Sequence, residues 1–205
     1  MGLHTIYGVN GVGKDTVANE LVCAHENTFK TSESRLLMFI LGIADNYDTT
    51  HPVTRDHYKL LEETPQTRMI EIEKTDYRYL IEEFARSETT VLILSHLVFA
   101  LYLDKKIKFL DERTTPDWYL DANESLIQLI APSQTIYGRR IKDEDTRDRG
   151  QFTIEDIDMH QQLCGRRWEK IAQQAEGTFT VTATIENICL TDAVEQTARV
   201  IYERT

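Results

Sequence analysis

The chain has 205 residues, 41% of them apolar, enough to bury one substantial core, and it is expected to form a single domain spanning residues 1–205. Its formal net charge of −11, from 34 acidic against 23 basic residues, excludes a basic face for extended nucleic acid. Neither a charged-then-apolar leader nor an apolar run near the ~20 residues of a membrane helix is present, so no membrane partner and a cytoplasmic location are expected.

An apolar run from Leu3 to Gly8 opens the chain and reads as the first strand. Residues 8–16 follow as GVNGVGKDT, and the helical pattern Val17-Ala18-Asn19-Glu20-Leu21-Val22 comes directly after. Gly8, Gly11 and Gly13 let the backbone turn tightly enough to aim several N–H groups at anionic oxygens, and the helix adds the positive end of its dipole. The phosphate-binding residues expected here are Gly8, Asn10, Gly11, Val12, Gly13, Lys14, Asp15 and Thr16, with Lys14 bridging the β- and γ-phosphates of a nucleotide. Asp15 stands where the general loop pattern places serine or threonine, and Thr16 lies one residue further on.

Thr28 to Ser32 reads as the second strand. Residues 34–61 match neither a strand nor a covering helix, and they are expected to form an acceptor-binding insertion beyond the carboxyl ends of the strands, with Arg55 as an isolated cation in it. Thr64-Pro65 signals the start of a long helix from Gln66 to Ser87, with Ile70, Tyr77, Leu80, Ile81 and Phe84 on its inner face. Thr90 to Ser95 contains the uninterrupted apolar run Val91-Leu92-Ile93-Leu94, as a strand buried on both faces should. Ser95 and His96 close it, beside the first strand, where a terminal phosphate and its metal would lie.

Glu124 to Ala131 reads as the fourth strand. Residues 137–150 are charge-dense, carrying Arg139, Arg140, Arg147 and Arg149 among Asp143, Glu144, Asp145 and Asp148. Phosphoryl transfer demands positioned cations, so this stretch is expected to act as a lid over bound phosphates; a solvated turn with internal ion pairs is the other reading. Thr153 and Asp156 form a capping-box pair that opens a helix burying Ile157, Cys164, Trp168, Ile171 and Ala175 and stopped by Gly177. His160-Gln161 on that helix is either a polar face or a pair contacting a base or an acceptor. Thr178 to Ile185 reads as the last strand, and a helix from Thr191 to Glu203 as burying Val194, Ala198 and Ile201. Cys23, Cys164 and Cys189 are odd in number and widely spaced, and are expected to be reduced, mostly buried thiols. Strands alternating with helices imply an α/β fold: a five-stranded parallel sheet flanked by helices, with small acceptor-binding and lid insertions.

With these residues in place the chain resembles the nucleoside monophosphate kinases among the P-loop kinases, and within them the archaeal-type adenylate kinase family. GVNGVGKDT is similar to that family's GxxGxGKxT loop, in which the hydroxyl lies two residues after the lysine, so the resemblance makes Thr16 the magnesium-side group. The variant GKDTVA is also similar to loops of phage-type deoxynucleoside monophosphate kinases. Thr54-Arg55-Asp56 resembles the arginine-containing segment ahead of the long helix, and Ser95-His96 the threonine-histidine pair ending the third strand. Pro116 and Trp118 resemble a proline-tryptophan segment. Arg139-Arg140 with Asp145-Thr146-Arg147-Asp148-Arg149 resembles the lid pattern, and His160-Gln161 a pair on the next helix. The family's aspartate ahead of the Thr-His pair is Leu94 here, its lid run is one residue shorter, and Met38 stands near the place of an acceptor-phosphate arginine, leaving Arg35 or Arg55 to serve.

The expected function is ATP-dependent phosphoryl transfer to a nucleoside monophosphate or a similar small acceptor, with ATP and Mg2+ bound. Lys14 and the loop hold the donor phosphates and Thr16 the magnesium. Arg139, Arg140, Arg147 and Arg149 neutralise the moving group, while Arg35, Arg55, Ser95, His96, His160 and Gln161 face the acceptor. A regulatory ATPase acting through a protein partner, a small-metabolite or deoxynucleotide kinase, and a nucleotide binder without turnover are the alternatives.

Overall fold

β1 (Leu3–Tyr7) leads through the glycine loop into α1 (Lys14–Ala24), and β2 (Thr28–Ser32) runs straight into α2 (Glu33–Ile40). The helices α3 (Arg55–Glu62), α4 (Gln66–Lys74) and α5 (Asp76–Arg86) precede β3 (Thr90–Ser95), which is followed by a hairpin of β4 (Phe99–Leu103) and β5 (Lys106–Leu110). Then come α6 (Asp117–Ala122), β6 (Asn123–Ile130), α7 (Ser133–Lys142), α8 (Ile154–Ala175), β7 (Val181–Glu186) and α9 (Leu190–Tyr202). The structure, a computed structural model, describes residues 2–48, 53–103, 106–110, 115–142 and 152–203.

Apolar runs take the middle of the sheet because only there are both faces covered. β3 is buried at all six positions and β1 at all five, and they lie side by side in a parallel five-stranded sheet of order β2-β3-β1-β6-β7. β7 is buried at one position of six and takes an edge. The α/β architecture expected from alternating strands and helices is therefore present, with the third strand beside the first. Register brings the carboxyl ends together: Tyr7 pairs with Ser95 and with Gln128, and Ser32 pairs with Leu94. Whatever follows β1, β2, β3 and β7 is delivered to one edge of the sheet.

Several expectations need correction. The long helix over residues 66–87 is two helices, broken at Thr75, whose backbone leaves the helical region at φ −118° and ψ −90°. Thr75 Oγ1 donates to the Glu71 carbonyl at 2.9 Å, the local side-chain bond that competes with a continuing helix. The break resets the helical phase, so Ile70 is exposed and Ile72 buried, whereas Tyr77, Ile81 and Phe84 face the core as anticipated. The supposed insertion over residues 34–61 contains α2, a covering helix whose Leu36, Leu37 and Met38 are buried. The hairpin of β4 and β5 was not foreseen; it is antiparallel, with Phe99 opposite Leu110. Residues 137–142 continue α7, so Arg139 and Arg140 sit on a helix and not in an irregular insertion. In α9 the buried positions are Ala193, Thr197 and Ile201, with Val194 and Ala198 at the margin. Of the three thiols only Cys164 is buried; Cys23 and Cys189 are exposed.

The start of α8 matches its sequence signal closely. The Thr153 side chain accepts from the Asp156 N–H, and Asp156 Oδ2 accepts from the Thr153 N–H at 2.8 Å. Replacing Thr153 by alanine is expected to cost about 1 kcal/mol of stability, read as a lowered urea midpoint at unchanged slope.

Candidate functional site

The loop after β1 is shaped by its glycines. Gly11 and Gly13 have φ of 84° and 98°, in the left-handed region that side chains disfavour. Gly8 requires glycine for space instead, since a Cβ there would lie 2.7 Å from Val12 Cγ1 and 2.9 Å from the Leu129 carbonyl oxygen. Gly13 is the N-cap of α1 and, having no side chain, makes no cap hydrogen bond at that end of the eleven-residue helix. Lys14 is buried there. Its ammonium donates to the Gly8 carbonyl at 2.6 Å and to the Val9 carbonyl at 3.4 Å, and lies 3.4 Å from His96 Nδ1. An ammonium only donates, so this contact requires the Nδ1 lone pair of His96 to face Lys14. Thr16, at the third helical position, is exposed, and the exposed Asp15 carboxylate turns away to Lys30 at 3.5 Å.

Arg139 and Arg140, placed over the transferring group by the sequence, bind the loop itself. Arg140 is 3% exposed and donates from Nε and Nη2 to the Asn10 carbonyl at 2.9 and 2.7 Å, with its guanidinium 4.8 Å from the centre of the Phe152 ring. Arg139 donates to the Val12 carbonyl and to the Asn187 carbonyl, each at 2.9 Å, and partial burial lowers its pKa. Two cations thus engage the Asn10 and Val12 carbonyls, while the Gly8 and Val9 carbonyls turn to Lys14. Arg147 and Arg149 lie outside the described residues.

Asn187, absent from the sequence reading, belongs to this cluster. It follows β7, its N–H donates to the Ile130 carbonyl at 2.7 Å, and its side-chain amide donates to the Val12 carbonyl at 2.8 Å. Its Oδ1 is buried without a hydrogen-bond partner among the described residues. The only signal in the sequence was position, a polar residue at the carboxyl end of the last strand. Glu33 is the second omission. Ser95 donates to its carboxylate at 2.5 Å, across the ends of β2 and β3. Leu94, where the resemblance calls for an acid, is 5% exposed and apolar.

The remaining candidates divide. Arg35 donates to the Asp48 carbonyl and lines a cleft of about 260 Å³ with Asp45, Asn46 and His57. Arg55 begins α3. Gln161 donates to Ser133 Oγ at 2.9 Å, tying α8 to α7, and Ser133 in turn donates to Asp158. His160 shares the buried stripe of α8, bonds the Val98 carbonyl through Nε2 at 2.8 Å, and packs 5.3 Å from the Phe109 ring of the hairpin. Burial pushes its pKa down to about 4; the bond to Val98 opposes this, and the charges of Arg140 and Lys14 add to it. Between His160 and Gln161, then, one side chain is core and the other an interhelical tie.

The His160 shift has a measurable consequence. An unfolded histidine takes its proton near pH 6.5 and the folded one near 4, so above 6.5 both states are neutral and stability is unaffected. As pH falls from 6.5 towards 4 the unfolded chain is protonated first, and stability is lost by an amount on the order of 3 kcal/mol. Urea unfolding at pH 7 and pH 4.5 should show this decline, and His160→Gln should flatten it.

No family model matches the chain, and no curated protein matches it by sequence. Similar solved structures exist. TT1252 from Thermus thermophilus is 17% identical, with a TM-score of 0.49 over 99% of this chain and 97% of that one. A protein described as uncharacterized from Eubacterium ventriosum ATCC 27560 is 13% identical, with a TM-score of 0.49 over 98% of each chain.

Proposed function

We propose that this chain is a P-loop phosphotransferase that passes the γ-phosphoryl group of ATP to a small acceptor, of which a nucleoside monophosphate is the member its sequence resemblance implies. The observation that carries the reading is the glycine cradle at the uncapped N-terminus of α1, with a buried lysine in it and the end of β3 against that lysine. In this reading the loop N–H groups and Lys14 hold the donor phosphates. Arg139, Arg140 and Asn187 keep the loop open from behind, and the acceptor lies over the ends of β2 and β3. The resemblance assigns Arg147 and Arg149, outside the described residues, to the phosphates as well.

Magnesium, when bound, would neutralise charge on the nucleotide's phosphates. Among the described residues no group of three or more His, Cys, Asp or Glu side chains could hold a metal ion. Thr16 suits instead an ion carried in by the nucleotide and held mainly by phosphate oxygens and water, as magnesium commonly is. The experiment is a coupled ADP-release assay across AMP, CMP, GMP, UMP and the deoxynucleotides. ADP release that ignores every acceptor sinks the transfer reading. It would favour instead a regulatory ATPase, the reading that apolar Leu94 at the end of β3 supports.

A further inference from the structure

Glu33 is the first residue of α2, immediately after β2, and so stands at the carboxyl edge of the sheet by construction. The Ser95 hydroxyl donates to its Oε2 at 2.5 Å, which fixes the direction of the carboxylate across the end of β3. His96 follows Ser95 and contacts Lys14, so a single short path joins this carboxylate to the lysine of the phosphate loop. Tyr7, Tyr77 and Tyr119, from β1, α5 and α6, lie close enough that the charge of Glu33 adds to the burial that raises their pKa values. The carboxylate is therefore half-buried and oriented, at the end of β2, with β3 lying between it and β1, which leads into the donor cradle. Arg35, on the same helix, directs its guanidinium to the Asp48 carbonyl.

The chemistry of an acceptor decides what such a site needs. A phosphate acceptor is already a nucleophile and calls for cations; a carboxylate at its reacting end repels it. An alcohol is a poor nucleophile at neutral pH and calls for a base within hydrogen-bond reach of its proton. We propose that Glu33 is the general base for an alcohol acceptor, so that the group phosphorylated is a hydroxyl on a small molecule of the nucleoside type and not a phosphate. This rests on the phosphotransferase reading and replaces its acceptor class. The alcohol oxygen forms a bond to the γ-phosphorus, the bond from that phosphorus to the β–γ bridging oxygen breaks, and ADP leaves with the electron pair. The hydroxyl proton passes to Glu33 and then to solvent. Ser95 is a positioning residue, keeping the carboxylate turned to the acceptor.

The test sets nucleosides and deoxynucleosides against their 5′-monophosphates with ATP and Mg2+, reading ADP release and identifying the product by mass. Nucleosides are expected to give monophosphates. Glu33→Gln is expected to lower the single-turnover rate at least about 100-fold while the calorimetric Kd for ATP moves less than about threefold, with Glu33→Asp falling between. Conversion of monophosphates to diphosphates, with nucleosides inert, overturns the proposal and leaves the phosphotransferase reading standing. ADP release indifferent to every acceptor overturns both. The acceptor panel on the unaltered protein decides the acceptor class whatever the stability of the variants.

Discussion

Replacing Lys14 by alanine is expected to weaken ATP binding at least about 100-fold, because hydrogen bonds from a charged donor to phosphate contribute roughly 1.5–3 kcal/mol each and the ammonium supplies more than one. That ammonium sits on the Gly8 and Val9 carbonyls and against His96. These are contacts a phosphate oxygen would compete for, so the lysine is held at the mouth of the cradle by the loop it serves. Isothermal titration with ATP and Mg2+ measures the loss. An affinity within about threefold of the unaltered protein would remove Lys14 from the phosphate site and the cradle assignment with it.

Arginine at position 140 has a different predicted signature. Its two bonds to the Asn10 carbonyl are buried, so Arg140→Ala leaves that oxygen without its donors and strips the cation from the Phe152 ring. The expected cost is about 2–4 kcal/mol of folding stability, together with at least tenfold weaker ATP binding as the loop relaxes. Arg140→Lys should recover only part of either, because an ammonium lacks the planar fork. Urea unfolding and ATP titration on the same samples separate two roles. A residue acting only on the transferring phosphoryl group would lose rate and keep stability, whereas one that shapes the loop loses stability and nucleotide affinity together.

These two residues also show how far pattern reading reaches. The placement of Lys14 was legible because it is local: the glycines, the lysine and the helix start are neighbours in sequence, and short-range backbone geometry places them. Arg140 was expected over a phosphate, yet the carbonyl it bonds is 130 residues away in the chain, and nothing in YGRRIKDE tells whether a guanidinium meets a phosphate or a carbonyl. Glu33 and Asn187 went unnoticed for the same reason. Each is a lone polar residue after a strand, and its significance comes from Ser95 and Val12, which only strand order and register bring alongside. The broken helix at Thr75 was hidden by a stripe that suits one continuous helix on both sides of the break, while a threonine bonding back to Glu71 is invisible to periodicity.

The sequence alone determined the alternation of strands and helices, the buried middle strands, the glycine loop opening α1 and the cap of α8. All of these follow from hydrophobic period and near-neighbour backbone chemistry. Tertiary structure decided which side chains share the carboxyl edge of the sheet. It turned two arginines onto the loop carbonyls, buried a histidine that could have been a contact, and set a carboxylate beside Ser95. The physical reason is one of range. Elements form from interactions a few residues apart, whereas a site is assembled by parallel pairing across crossovers, and the partner a charged side chain finds there depends on register that no single segment encodes.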